Sequence, residues 1–250
     1  MSASWWASGR ILARLALLLG ACLLLEGCVY LRLLELKHQF ADFDRFFAVD
    51  DSDGLTLTLK KPVLETEDLA FFDLAPEKEI RLGVARRWHL RWIKDYTMPH
   101  ERPEDYEVTA DFIFAEDKLR RVHLPERIFA FMPKSLILSA LRSLGHARVD
   151  QAKQSASAAL SSSAGLPLTQ ADLLRFLGAP LDTQSRDDGR LLVHYRYTGV
   201  SASQPAGKID FTFTLDPVTK TVLHLQGRMK HAVLEFDWPK PVAPAKSAPP

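Results

Sequence analysis

Leu33, Leu36, Phe40, Phe43 and Phe47 recur at alternating spacings of three and four, so they fall on one stripe of a helix predicted over residues 31–48. Arg32, Glu35, Lys37, Asp42 and Arg45 lie off that stripe, and the Asp50-Asp51-Ser52-Asp53-Gly54 cluster ends it. Residues 55–59 alternate leucine with threonine, as a half-exposed strand does. Thr66-Glu67-Asp68 opens a short helix that stops before Pro76. Three alternating strands follow, with Trp88, Leu90 and Trp92 on one inward row, Val108 to Phe114 on the next, and Val122 with Leu124 on the third. Residues 135–144 read as a helix and 149–160 as a second helical stretch, with 161–165 as a linker. Three more alternating strands then carry Val193, Tyr195 and Tyr197, then Ile209 to Leu215, then Leu223 and Leu225.

The second set echoes the first. Asp68, Leu69, Phe72, Ala75 and Pro76 recur as Asp172, Leu173, Phe176, Ala179 and Pro180, about 100 residues later. His89 is echoed by His194, Asp111-Phe112 by Asp210-Phe211, and His123 by His224, in the same order. The expected fold class is therefore α+β, with two repeats that each pack helices on a three-stranded antiparallel β-meander. Four segments result: 1–27 as a leader, 28–133 as the first repeat, 134–237 as the second, and 238–250 as a proline-rich disordered tail.

The leader has its own pattern. Arg10 and Arg14 precede an unbroken apolar or small run over 15–25, too short to cross a bilayer core of about 30 Å as a helix. It suits the apolar region of a secretory signal peptide. Leu25-Glu26-Gly27-Cys28 resembles the bacterial lipobox, whose cysteine is acylated and becomes the new N-terminus; Glu26 departs from its usual small or aliphatic residue. Leu19-Gly20-Ala21-Cys22 fits the letters better, but it leaves few apolar residues before the cut and an apolar run behind it, so Cys28 is the expected lipidation site. The alternative to cleavage is an amphipathic anchor from Ile11. Val29, rather than aspartate, after the cysteine implies, by the same resemblance, an outer-membrane location facing the periplasm.

Residues 165–180, with the Tyr195-Arg196-Tyr197 and Phe211-Thr212-Phe213 strands after them, resemble the SmpA/OmlA (BamE-type) outer-membrane lipoproteins. That resemblance implies two helices on a three-stranded sheet and support of the β-barrel assembly machine as the partner.

Composition narrows the chemistry. With 47% apolar and 25% charged residues the chain is neither disordered nor a multi-span membrane protein, and a net charge of +1 gives no field for nucleic acid. Two cysteines exclude a disulfide scaffold or Cys-rich zinc module. His89, Arg91, His123, His194, Arg196 and His224 fall opposite the aromatic rows and form the candidate polar binding face. The acids Glu107 and Asp111 between them suit cross-strand pairing. The spacing offers no metal site, no cofactor loop and no catalytic order, and His38 with Asp42 reads as a surface contact. The expectation is a non-catalytic lipoprotein, a scaffold or accessory factor in envelope assembly. The alternative is a lipoprotein that binds lipid or a small amphiphile.

Overall fold

The computed structural model describes residues 29–130, 132–160, 167–202 and 207–239. Cys22, Cys28, the linker and the tail from residue 240 lie outside the described residues. Residues 29–41 form helix α1. Next come α2 (Phe43–Phe46), β1 (Phe47–Asp50) and β2 (Leu55–Leu59), then α3 (Thr66–Phe71), β3 (Lys78–Leu82), β4 (Ala85–Lys94), β5 (Val108–Ala115) and β6 (Lys118–Leu124). After α4 (Lys134–Leu144), β7 (Arg148–Asp150) and β8 (Ser155–Ala159), the chain continues through α5 (Gln170–Leu177), β9 (Asp182–Ser185), β10 (Leu191–Gly199), β11 (Lys208–Leu215), β12 (Val222–Met229) and β13 (Ala232–Asp237).

All thirteen strands belong to one mixed sheet in the order β1-β2-β6-β5-β4-β10-β11-β12-β13-β8-β7, with β3 added to β4 and β9 to β10. This corrects the expected α+β pair of three-stranded, helix-packed meanders. Strands were legible where leucines and aromatics alternate; Lys78–Leu82, Asp182–Ser185 and Ser155–Ala159 carry charged or small residues and pair because their neighbours offer an edge. The stretch over 149–160 is thus strand, and β8 runs parallel to β13. The first helix also ends earlier than its stripe, because Phe47 leaves it to pair with Leu59.

β4 and β10 join the two halves. Trp92, Ile93 and Lys94 face Gly199, Thr198 and Tyr197 in antiparallel register. Two further backbone bonds extend the seam, Asp95 N–H to the Arg196 carbonyl at 2.9 Å and Val200 N–H to the Arg91 carbonyl at 2.8 Å. The halves correspond closely around it. Leu119 N–H bonds the Leu64 carbonyl at 2.8 Å, and Val222 N–H bonds the Leu168 carbonyl at 2.7 Å. Ladder irregularities fall at Ile113/Phe114 and Thr214/Leu215. Pairing from the matched His89 and His194 outward aligns Asp111 with Thr212, Phe112 with Phe213 and His123 with Gln226. The echoes Phe112–Phe211 and His123–His224 are therefore displaced by two residues from the structural equivalences.

Helices pack on one face of the sheet. Leu69 of α3 and Leu173 of α5 join Trp88, Leu90, Trp92, Phe114, Tyr195, Tyr197 and Phe213 in a core that spans the seam, with Leu33 and Leu36 of α1 against it. A second cluster of Phe43, Phe47, Leu57 and Leu59 takes Leu138 and Leu141 of α4. The close crossing of α1 and the end of α4 requires Gly145, since a Cβ there would lie 2.1 Å from the Ala41 nitrogen.

α1 is pinned by charge as well as packing. Arg32 donates to Asp68 Oδ1 from Nε at 3.0 Å and from its terminal nitrogen at 2.7 Å. Asp68 is fully buried, and its other oxygen accepts the Glu65 N–H at 2.8 Å to cap α3. Its counterpart Asp172 caps α5 in the same way but pairs with the exposed Arg175. Removing one partner of a buried pair costs about 3–5 kcal/mol, whereas loss of an ordinary cap costs about 1 kcal/mol. Asp68→Ala should therefore lower the urea unfolding free energy of the detergent-solubilised chain several-fold more than Asp172→Ala. Equal losses would mean that Arg32 does not anchor α1.

Candidate functional site

The face opposite the helices is built from charged and hydroxyl residues in cross-strand rows. In the first half Lys78, His89, Asp111, His123, Thr56 and Asp50 stand opposite one another across β3, β4, β5, β6, β2 and β1. His89 Nδ1 lies 2.8 Å from Asp111 Oδ1, and His123 Nδ1 lies 2.9 Å from the Thr56 hydroxyl. Burial pushes the Asp111 carboxyl up, but hydrogen bonds from Arg87 and His89 outweigh it and hold the group below the usual carboxylate range. The second half repeats the row as Asp182, His194, Thr212, Gln226, Glu235 and Ser157. There His194 Nδ1 sits 3.0 Å from the Thr212 hydroxyl, and Glu235 accepts from Ser157 at 2.6 Å and Gln226 at 3.0 Å. The Ser157 bond, the largest influence on Glu235, holds its carboxyl low.

The six residues singled out from the sequence share this face without converging. Antiparallel pairing at the seam sends His89 and His194 toward opposite ends, about 26 Å apart at about 3.3 Å per residue. Arg91 binds Glu107 and Glu77, Arg196 binds Asp210, and His224 binds Asp237 at 2.8 Å. His89 and Arg91 are neighbours along β4, His194 and Arg196 along β10, and His89 and His123 flank Asp111 from the two adjacent strands. Each of the six is held by its own neighbour, and their geometry is that of pairs along a sheet surface. Among the described residues no three metal-ligating side chains gather.

A second cluster lies on the core face beneath the seam. Trp88, Leu90 and Trp92 alternate inward along β4, and the next inward position is Lys94, only 3% exposed. Its Nζ makes no hydrogen bond and sits 4.5 Å from the centre of the Tyr106 ring and 5.7 Å from that of Tyr195. Across the seam from Lys94 is Tyr197, 2% exposed, whose hydroxyl also has no hydrogen-bond partner. The other two phenols are satisfied, Tyr195 donating to the Gly178 carbonyl at 3.2 Å and Tyr106 to Glu101 at 3.1 Å. Gly178 closes α5 at φ 67°, and a Cβ there would lie 2.6 Å from the Tyr106 ring and 2.9 Å from Lys94 Nζ.

Burial pushes the Lys94 amine down to about 8, with Glu101 opposing the shift. It pushes the Tyr195 and Tyr197 phenols up. Burial also acts upward on Glu101, yet bonds from the Met98 N–H and Tyr106, with the charge of Lys94, leave it below the ordinary value. This cluster was absent from the sequence expectations. Its signal was a lysine at a position where the period of two calls for an apolar side chain.

No family model, curated protein or solved structure matches the chain.

An amine whose folded-state value lies below its unfolded one binds fewer protons in the fold, so stability rises with pH between about 8 and about 10.4. Below that window the buried charge destabilises the fold by roughly 3 kcal/mol relative to an uncharged side chain of the same shape. Lys94→Met should raise the urea midpoint at pH 7, and the gap between variant and parent should close as pH climbs from 8 to 10. A constant gap across that range would show that Lys94 does not carry a buried charge.

Proposed function

We propose that the chain is a non-catalytic lipoprotein of the outer membrane, acylated at Cys28, that faces the periplasm as a scaffold or accessory factor in the assembly of envelope proteins. The observation that carries this reading is the junction of anchor and body. The lipobox-like Leu25-Glu26-Gly27-Cys28 is followed at once by a chain that is helical from residue 29 and tied into the core by Arg32 and Asp68. An acylated Cys28 therefore joins the body with no spacer, at about 0.8 kcal/mol of membrane affinity per buried CH₂. The body presents a polar sheet face without helices, and the sheet ends at two short strands, β1 and β7. Such edges offer backbone groups to which a β-rich client can add a strand.

The SmpA/OmlA resemblance contributes less, because its helices-on-three-strands fold is not the fold found. The barrel-assembly machine is the partner class to test. Affinity purification of the lipidated protein with mass spectrometry should recover components of that machine, and recovery of lipid alone would refute the scaffold role. In the same cells Cys28→Ala should abolish palmitate labelling and release the protein from the membrane fraction. Labelling that survived in Cys28→Ala and vanished in Cys22→Ala would move the anchor to Cys22.

A further inference from the structure

Lys94 and Tyr197 are buried donors on adjacent strands with no acceptor, which is unusual for a folded interior. What lies next to them explains what could satisfy them. Tyr106, whose ring covers the ammonium, is also a wall of an open cleft of about 450 Å³, formed with Asp105, Arg127, Ala130, Arg175 and Phe176. The Tyr106 side chain thus lies between the cleft it lines and the Lys94 ammonium, with Tyr197 paired to Lys94 across the seam. The cleft surface is mostly apolar, and its two arginines are engaged elsewhere, Arg175 with Asp172 and Arg127 with Glu107. The buried cation without a hydrogen bond is the one behind the tyrosine.

An ammonium and a phenol O–H that lack acceptors call for an anionic oxygen, and an apolar cleft beside them calls for a hydrocarbon chain. We propose that Lys94 and Tyr197 form a headgroup site for an amphiphilic carboxylate, with its chain in the cleft and Tyr106 as the gate between them. The carboxylate replaces the ring contact of Lys94 with an ion pair and accepts the Tyr197 hydroxyl. Tyr106 moves by releasing Glu101, its hydrogen-bond partner on the same loop. Gly178 keeps the space at the gate free, since any side chain there would crowd both Tyr106 and Lys94. The site goes beyond the anchored-scaffold reading and does not depend on it.

Calorimetric titration of the full chain in lipid nanodiscs with octanoate, corrected for empty nanodiscs, tests the site. Octanoate should give saturable one-to-one binding that Lys94→Met weakens at least tenfold and Tyr197→Phe weakens severalfold. Tyr106→Ala, with the gate open, should bind at least as tightly as the parent, and 1-octanol should give no saturable heat. Urea midpoints of the variants confirm that each is folded. Equal octanoate affinity in parent and Lys94→Met, equal binding of octanol, or no saturable binding in both the parent and the folded Tyr106→Ala would each overturn the proposal. None of these outcomes bears on palmitate labelling or on the recovered proteins, so the lipoprotein reading stands or falls separately.

Discussion

The antiparallel seam between β4 and β10 is the contact on which the remaining architecture depends. Each half presents a helix and four sequential antiparallel strands, and the edge of β4 or β10 beyond its short hairpin partner would otherwise be open. Unpaired backbone at such an edge invites association. Pairing Ile93 with Thr198 closes both edges at once. It also merges two small apolar faces into one core, and a larger core buries a greater share of its surface. Trp88 from one half and Tyr195 from the other then belong to a single cluster.

The same seam creates the least satisfied spot in the interior. Strand alternation carries Lys94 inward just where the two halves meet, and antiparallel register sets Tyr197 across from it. Among the described residues two other buried side-chain atoms lack a partner, Gln39 Oε1 and His194 Nε2, and neither lies beside an unmatched cation. The rows through His89, Asp111 and His123, and through His194, Thr212 and Gln226, bond along the sheet surface. One face is occupied by helices and shelters an unmatched amine; the other carries rows of polar side chains bonded to one another along the sheet.

The aromatic alternation of β4, β5, β10 and β11 was legible because each buries one row of large side chains, and so was the helix at 135–144, while α5 could be read only through its echo of the short helix that opens at Thr66. β3, β9, β8 and the edges β1 and β7 were not legible. Their side chains are charged, small or few, and they are strands because a neighbour supplies the hydrogen bonds. Register was legible only within about two residues, since the identical letters around Phe211 and His224 are displaced from the positions that pair. The face that carries the six candidate residues followed from parity. The seam that spreads them apart did not, because nothing local to β4 or β10 names its partner. The one clue to the cluster under the seam was Lys94, a charge in an apolar row.

Amide hydrogen exchange at Asp95 and Val200 tests the two-halves-in-one-sheet account most directly, because these N–H groups donate across the seam. If the seam holds one cooperative sheet, both amides exchange as slowly as those in the middle of β4–β5 and β10–β11, and with the same denaturant dependence. Exchange at these two positions that was orders of magnitude faster, with the halves unfolding in separate steps, would contradict it.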